Sequence, residues 1–143
     1  MVAKQQKSIT TTDMCFGCGK DNPHSLKLKV EWDGKTAKAK FTPNEFHQGF
    51  TGIVHGGVIS TIFDEAMGQA AYRAGIKCVT GTMLVRFKRP LSVGEPVIVT
   101  ASVTKKVRRL VEIEAKMTLL DGTPVAEAQA TEVIPSWKAE SEG

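Results

Sequence analysis

One segment of this chain carries the period of an α-helix: Val58, Ile59, Ile62, Phe63, Ala66, Met67, Ala70, Ala71 and Ala74 recur as a single broad apolar stripe ending near Gly75. The other patterned segments alternate with period two. Leu26, Leu28, Val30 and Trp32 alternate with Lys27, Lys29 and Glu31, and after an Asp33-Gly34 turn the alternation resumes at Ala37, Ala39 and Phe41, which predicts a half-buried hairpin. A third strand runs from Val79 to Phe87, before Pro90. Three more occupy Val97 to Val107, Leu110 to Leu119 and Val125 to Ile134, with Asp121-Gly122 turning between the last two. A sheet of six antiparallel strands has one face to bury, and a helix of about five turns is the only element available to bury it. The expected fold is therefore α+β, with a curved six-stranded antiparallel sheet wrapped around one long helix. Ala126, Ala128 and Ala130 on the last strand would let the helix or a neighbouring strand approach closely.

The chain has 143 residues, 41% hydrophobic and 24% charged, which suits one globular domain with a real core and excludes disordered and fibrous classes. Residues 1–14 and 137–143 read as polar tails around a domain at 15–136. No apolar run reaches the length of a membrane span, and the start MVAKQQKSITTTD has no hydrophobic segment, so a cytoplasmic protein without membrane association is expected. Three cysteines argue against a disulfide framework.

The segment HGGVISTIFDEAMG carries the chemistry. His55, Gly56 and Gly57 stand where the helix begins, so unpaired N–H groups and the positive end of the helix dipole can face an oxygen that gains negative charge. Asp64 lies off the apolar stripe and nearly in line with Gly57 and Gly68, a small-residue face that admits a ligand or a second backbone. Its neighbour Glu65 reads as an ordinary exposed helical acid. Seven residues of helix climb roughly 10 Å, too far for one substrate atom to touch both the glycine turn and the acid. The carboxylate of one subunit completing the glycine site of another resolves this, and makes a homodimer with shared sites the expected assembly.

These residues resemble the hotdog-fold acyl-CoA thioesterases, particularly the phenylacetate-degradation type and related thioesterase superfamily members, over roughly residues 15 to 135. The likeness rests on HQGFTGIVHGGVISTIFDEAMG, with an acid nine residues after the histidine, on VTGTMLVRFKRP, and on the opening CFGCGKDNPHSLKLKV. It implies a single hotdog domain that hydrolyses an acyl-CoA to free acid and CoA. No cofactor is implied beyond the CoA of the substrate, and the expected homodimers pair further into a dimer of dimers. It implies that the Gly56 N–H polarises the thioester carbonyl, that His55 shapes the turn, that Asp64 is general base or nucleophile, and that Thr80 positions water or the acid. Gly57 and Gln48 are expected as further substrate contacts, Gln48 standing in for the Asn that many family members carry at the position of Gly49.

Seven of the 19 Lys and Arg residues fall at Arg86, Lys88, Arg89, Lys105, Lys106, Arg108 and Arg109. With no nucleic-acid motif and Phe87 as its only aromatic, this stretch suits a phosphate-bearing small molecule better than nucleic acid. With Thr80 taken to share a strand face with Arg86 and Lys88, and about 20 Å of strand between, Arg86, Lys88, Arg108 and Arg109 become the candidates for CoA phosphates. A non-catalytic acyl-CoA sensor on the same fold is the rival reading, and it would not need Asp64. Cys15-x-x-Cys18 with His24 falls short of the four ligands of a structural zinc site, because Cys78 is distant, so no metal is expected.

Overall fold

The computed structural model describes residues 12–136. The tail residues 1–11 and 137–143 lie outside them. Six strands form one antiparallel sheet: β1 (Glu31–Trp32), β2 (Ala37–Phe41), β3 (Val79–Phe87), β4 (Val97–Val107), β5 (Leu110–Leu119) and β6 (Pro124–Val133), in the order β1-β2-β4-β5-β6-β3. A single long helix, α1 (Gly56–Arg73), packs on one face, as the alternation and the lone stripe require. This is the expected hotdog domain.

Ile59, Ile62, Phe63, Ala66, Met67, Ala70 and Ala71 of α1 are buried. They lie against the inward rows of the sheet. One row runs Ala37, Ala101, Ala115, Ala128, Val85 across five strands, and the next runs Ala39, Val99, Met117, Ala126, Phe87. The alanines keep the sheet thin under the helix, so the larger helical side chains fill the space.

The first hairpin is shorter on one side than the sequence predicts. Leu26 and Leu28 are buried, but strand geometry begins only at Glu31. Lys27 takes a positive φ of 55°, its Nζ donates to the carbonyls of Gly19 and Lys20, and Leu26 and Leu28 donate their N–H groups to Phe16 and Gly17. The segment thus pairs with the Cys15–Lys20 loop instead of with β2. Thr12, Asp13 and Met14, read from sequence as tail, accept hydrogen bonds from Cys15, Asp21 and Asn22 of the same loop.

A bulge in β3 redirects its start. Thr80 pairs with Glu132 and Thr82 with Thr131, leaving Gly81 as an extra residue. A Cβ at Gly81 would stand 3.0 Å from the Thr131 carbonyl oxygen, so a bulge this close to β6 needs glycine. Beyond it Met83 and Val85 face the core, and Phe87 reaches the helix start at Gly56. Before it, Thr80 faces inward as well.

Candidate active site

The helix start is built by its own cap. His55 has extended backbone, and its Nδ1 accepts the Gly57 N–H at 2.8 Å. Its own N–H is held by the His47 carbonyl at 2.8 Å. The preceding loop is braced from within: Gln48 Nε2 donates to Glu45 O, Gln48 Oε1 accepts from Gly52 N, and His47 Nδ1 accepts from Asn44 N. With Gly57 occupied by the histidine ring, the Gly56 N–H is the exposed donor of this turn without a partner among the described residues.

Two turns along α1, Asp64 is exposed and accepts a hydrogen bond of 2.6 Å from Thr80 Oγ1. The two residues come from separate elements, and the bulge at Gly81 is what turns the threonine toward the helix. The helix face that carries Asp64 is open, since nothing lies within 4 Å of where a Gly68 side chain would begin.

Beneath Asp64 lies a residue that the sequence reading missed. Glu132, 1% exposed, is level with Thr80 across the β3–β6 pair. Cys78 Sγ donates to its Oε1 at 3.3 Å, and its Oε2 has no partner among the described residues. Burial pushes the Glu132 carboxyl above its ordinary value, and the charge of Asp64 adds to the rise. Burial and the same carboxylate push the Cys78 thiol up to about 12. The signal was present in sequence, because Glu132 continues the inward alternation of Ala126, Ala128 and Ala130.

The basic residues do not form the expected group. By strict alternation Thr80 would share a face with Arg86 and Lys88, but the bulge inverts the strand between them. Arg86 therefore lies on the outer face of the sheet, beside Leu84, Ser102 and Glu114 around a hollow of 430 Å³. Lys88 Nζ pairs with Glu127 Oε2 at 3.3 Å on that side. Arg108 and Arg109 form the β4–β5 turn at the opposite end of the sheet, where Leu110 and Val79 flank Val133. Neighbours in sequence were separated by the antiparallel turn. That outer hollow holds neither Asp64 nor the glycine turn.

Glu65 differs from the exposed acid expected. It is half-buried, accepts from Cys15 Sγ at 3.2 Å and from Gln69 Nε2 at 3.1 Å, and is drawn in by the N-terminal loop that lies over the helix.

A capped helix start with one free amide, and an acid held by a threonine from the neighbouring strand, sit on a fold shared with known proteins. The thioesterase superfamily model matches residues 51–126, more than half the chain, and the chain belongs to that superfamily. Acyl-coenzyme A thioesterase THEM5 of Mus musculus is 30% identical over 71 residues, which are 50% of this chain and 29% of that protein. The chain thus spans less than a third of this curated relative. The E. coli PaaI protein from the phenylacetic acid degradation operon superposes with a TM-score of 0.76 at 19% identity, covering 92% of this chain and 96% of that one. A hypothetical thioesterase from Streptococcus pneumoniae, solved with coenzyme A, superposes with a TM-score of 0.71 at 16% identity, covering 76% and 85%. Among the described residues, no helix is long and apolar enough to cross a membrane.

Proposed function

We propose that this chain hydrolyses an acyl-CoA thioester to the free acid and CoA. The observation that carries the reading is the 2.6 Å bond from Thr80 to Asp64 on an open helix face whose N-terminus presents an amide unpartnered among the described residues. The superfamily membership, the acyl-CoA thioesterase relative and the CoA-bound neighbour support it.

In this reading the Gly56 N–H donates to the thioester oxygen as it gains charge. The helix dipole adds to that stabilisation. His55 holds the turn through Gly57 and leaves the Gly56 amide free. Thr80 donates to one oxygen of Asp64, so the other oxygen is left to take a proton from water or to attack the carbonyl carbon. The C–S bond then breaks: when Asp64 acts as base, the departing thiolate takes the proton that Asp64 removed from water, and when Asp64 attacks, water then hydrolyses the mixed anhydride and supplies that proton. Thioesters need little more, because the carbonyl is electrophilic and the thiolate leaves readily.

A homodimer belongs to the proposal. The glycine turn and Asp64 are separated by about 10 Å of helix. The open face at Gly68 and the edge strand β3, with exposed Val79, Leu84 and Phe87, leave room for a second copy to bring its own residues to this site. Gly57 and Gln48 spend their polar groups inside the chain, so their role is to shape the turn and its loop. Lys88 lies at the Gly56 end of β3, whereas Arg108 and Arg109 lie at the Thr80 end; contacts from both ends to one CoA would require the dimer.

The test is thiol release from a panel of aryl- and fatty-acyl-CoA substrates, with Asp64→Asn beside the wild type. We expect kcat to fall by about 10²–10⁴-fold while CoA binding persists. A variant at the wild-type rate would sink the assignment of Asp64. Tight acyl-CoA binding without turnover by the wild type would replace the enzyme with a sensor.

A further inference from the structure

The N-terminal loop crosses α1 with two thiols and a carboxylate turned toward each other. One ligand atom from each of Cys15, Cys18 and Glu65 lies within 4.8 Å of the others, and all three residues are half-buried. The cysteines come from the turn Cys15-Phe16-Gly17-Cys18-Gly19, and the glutamate from the middle of α1, fifty residues from Cys15.

The turn is fixed before any ligand arrives. Gly19 donates its N–H to Cys15 O at 2.7 Å, Lys27 Nζ caps Gly19 O, and the buried Leu26 and Leu28 are bonded to Phe16 and Gly17. Gly17 is required where the loop meets the helix, because a Cβ there would fall 2.4 Å from Glu65 Oε1. Gln69 lies one helical turn beyond Glu65 and donates to its Oε2, which orients the carboxylate and leaves Oε1 facing the sulfurs. Among the described residues, Glu65 draws hydrogen bonds from Cys15, Cys18 and Gln69 and has no cationic partner.

We propose that Cys15, Cys18 and Glu65 bind a zinc-class divalent cation that fastens the N-terminal loop to α1. A tetrahedral zinc ion, with bonds of about 2.3 Å to sulfur and about 2.0–2.2 Å to oxygen, spaces its donors roughly 3.5–3.8 Å apart. Cys15 Sγ already stands 3.2 Å from Glu65 Oε1, and the widest of the three separations needs to close by at most about 1.3 Å. Two thiolates and a carboxylate favour zinc over magnesium or calcium, which take oxygen ligands. Binding replaces the thiol protons of Cys15 and Cys18 with metal–sulfur bonds, releases two protons, and leaves the fourth position to water. Gln69 acts outside the ligand set, holding the carboxylate in place. Glu65, delivered by the fold, takes the place that His24 held among the three ligands read from sequence, and water completes the four. This site stands apart from the thioesterase reading and does not depend on it.

The test uses the full chain, reduced with a non-thiol reductant, and titrates it with Co²⁺ and with Zn²⁺. We expect one equivalent of Co²⁺ per chain with a thiolate-to-cobalt charge-transfer band, displacement of the band by Zn²⁺, and a rise of several degrees in Tm with Zn²⁺. Cys15→Ser and Cys18→Ser each abolish the band, Glu65→Gln weakens binding by at least about tenfold, and Cys78→Ser leaves it unchanged. Absence of the band in the wild type, its survival in the Cys15→Ser chain, or its loss in Cys78→Ser would each overturn the site. So would a reduced chain that reforms a Cys15–Cys18 disulfide in preference to taking up metal.

Discussion

Single atoms decide much at the helix start. Gly56→Pro deletes one N–H at the first helical position, where proline is at home, and His55 at φ −63° and ψ 134° already has the backbone that the residue before proline requires. A Cβ at position 56 meets only the Phe87 ring, Cζ at 3.5 Å and Cε1 at 3.7 Å, both ordinary contacts. We expect Gly56→Pro to keep its melting temperature within a few degrees and to lose about 10²–10³-fold in kcat, as steady-state kinetics and calorimetry would record. Equal activity would remove the amide from the mechanism. Glu132 gives a prediction of opposite kind. Its carboxyl titrates above the ordinary glutamate value of 4.5 in the folded chain. The folded state therefore binds the proton more tightly than the unfolded one, and this stabilisation is complete below that ordinary value. It is lost as pH rises through the raised folded value. Glu132→Gln, which cannot ionise, should gain stability relative to wild type with increasing pH across that window. Denaturant unfolding at several pH values measures it, and a difference independent of pH would refute the buried acid.

The decisive element is the bulged strand. Without the extra residue at Gly81, alternation would set Thr80 and Arg86 on one face, which is how the sequence alone reads; with it, Thr80 reaches Asp64 while Arg86 turns outward. Gly81→Val places a side chain against the Thr131 carbonyl and Val133 Cγ2 at 3.0 and 3.1 Å. A ladder carbonyl cannot yield cheaply. We expect a loss of roughly 1–3 kcal/mol in denaturant unfolding, together with a fall in kcat as Thr80 is pulled from Asp64. An unfolding midpoint and kcat both at wild-type values would show that the strand start does not position the acid. The helix, by contrast, is legible at the level of its element, because its apolar period, its glycine turn and its end near Gly75 are local features.

At the scale of the molecule, the question is whether one chain holds a complete site. Equal amounts of Gly56→Pro and Asp64→Asn chains, allowed to exchange subunits, separate the two cases. If Gly56 of one subunit works with Asp64 of the other, half the particles are mixed and each has one intact site, so about a quarter of wild-type activity returns. If each chain works alone, nothing returns. Light scattering should give at least twice the 15.5 kDa chain mass. The large apolar side chains around the site point the same way. Met67 is buried in the core, Leu84 lies on the outer sheet face, and Phe46 and Phe50 are 85% and 89% exposed on the loop before α1. One chain does not gather them.

What the sequence determined by itself was whatever depends on near neighbours in the chain. The helix follows from its 3.6-residue stripe, the strands from their alternation, and the anion-binding turn from adjacent glycines before an apolar run. The pairing of Asp64 with Thr80 was named there only through the resemblance, since sixteen residues of chain contain no geometric statement about it. Only the tertiary structure decided which faces meet. A single extra residue at Gly81 inverts a strand, a left-handed Lys27 diverts the first hairpin arm to another loop, and an antiparallel turn sends Arg108 and Arg109 to the far end of the sheet from Lys88. The same holds for Glu65 and Glu132. Each looks like any other acid in the sequence. Burial, set by elements dozens of residues away, makes one the partner of two thiols and the other a carboxyl that resists ionisation.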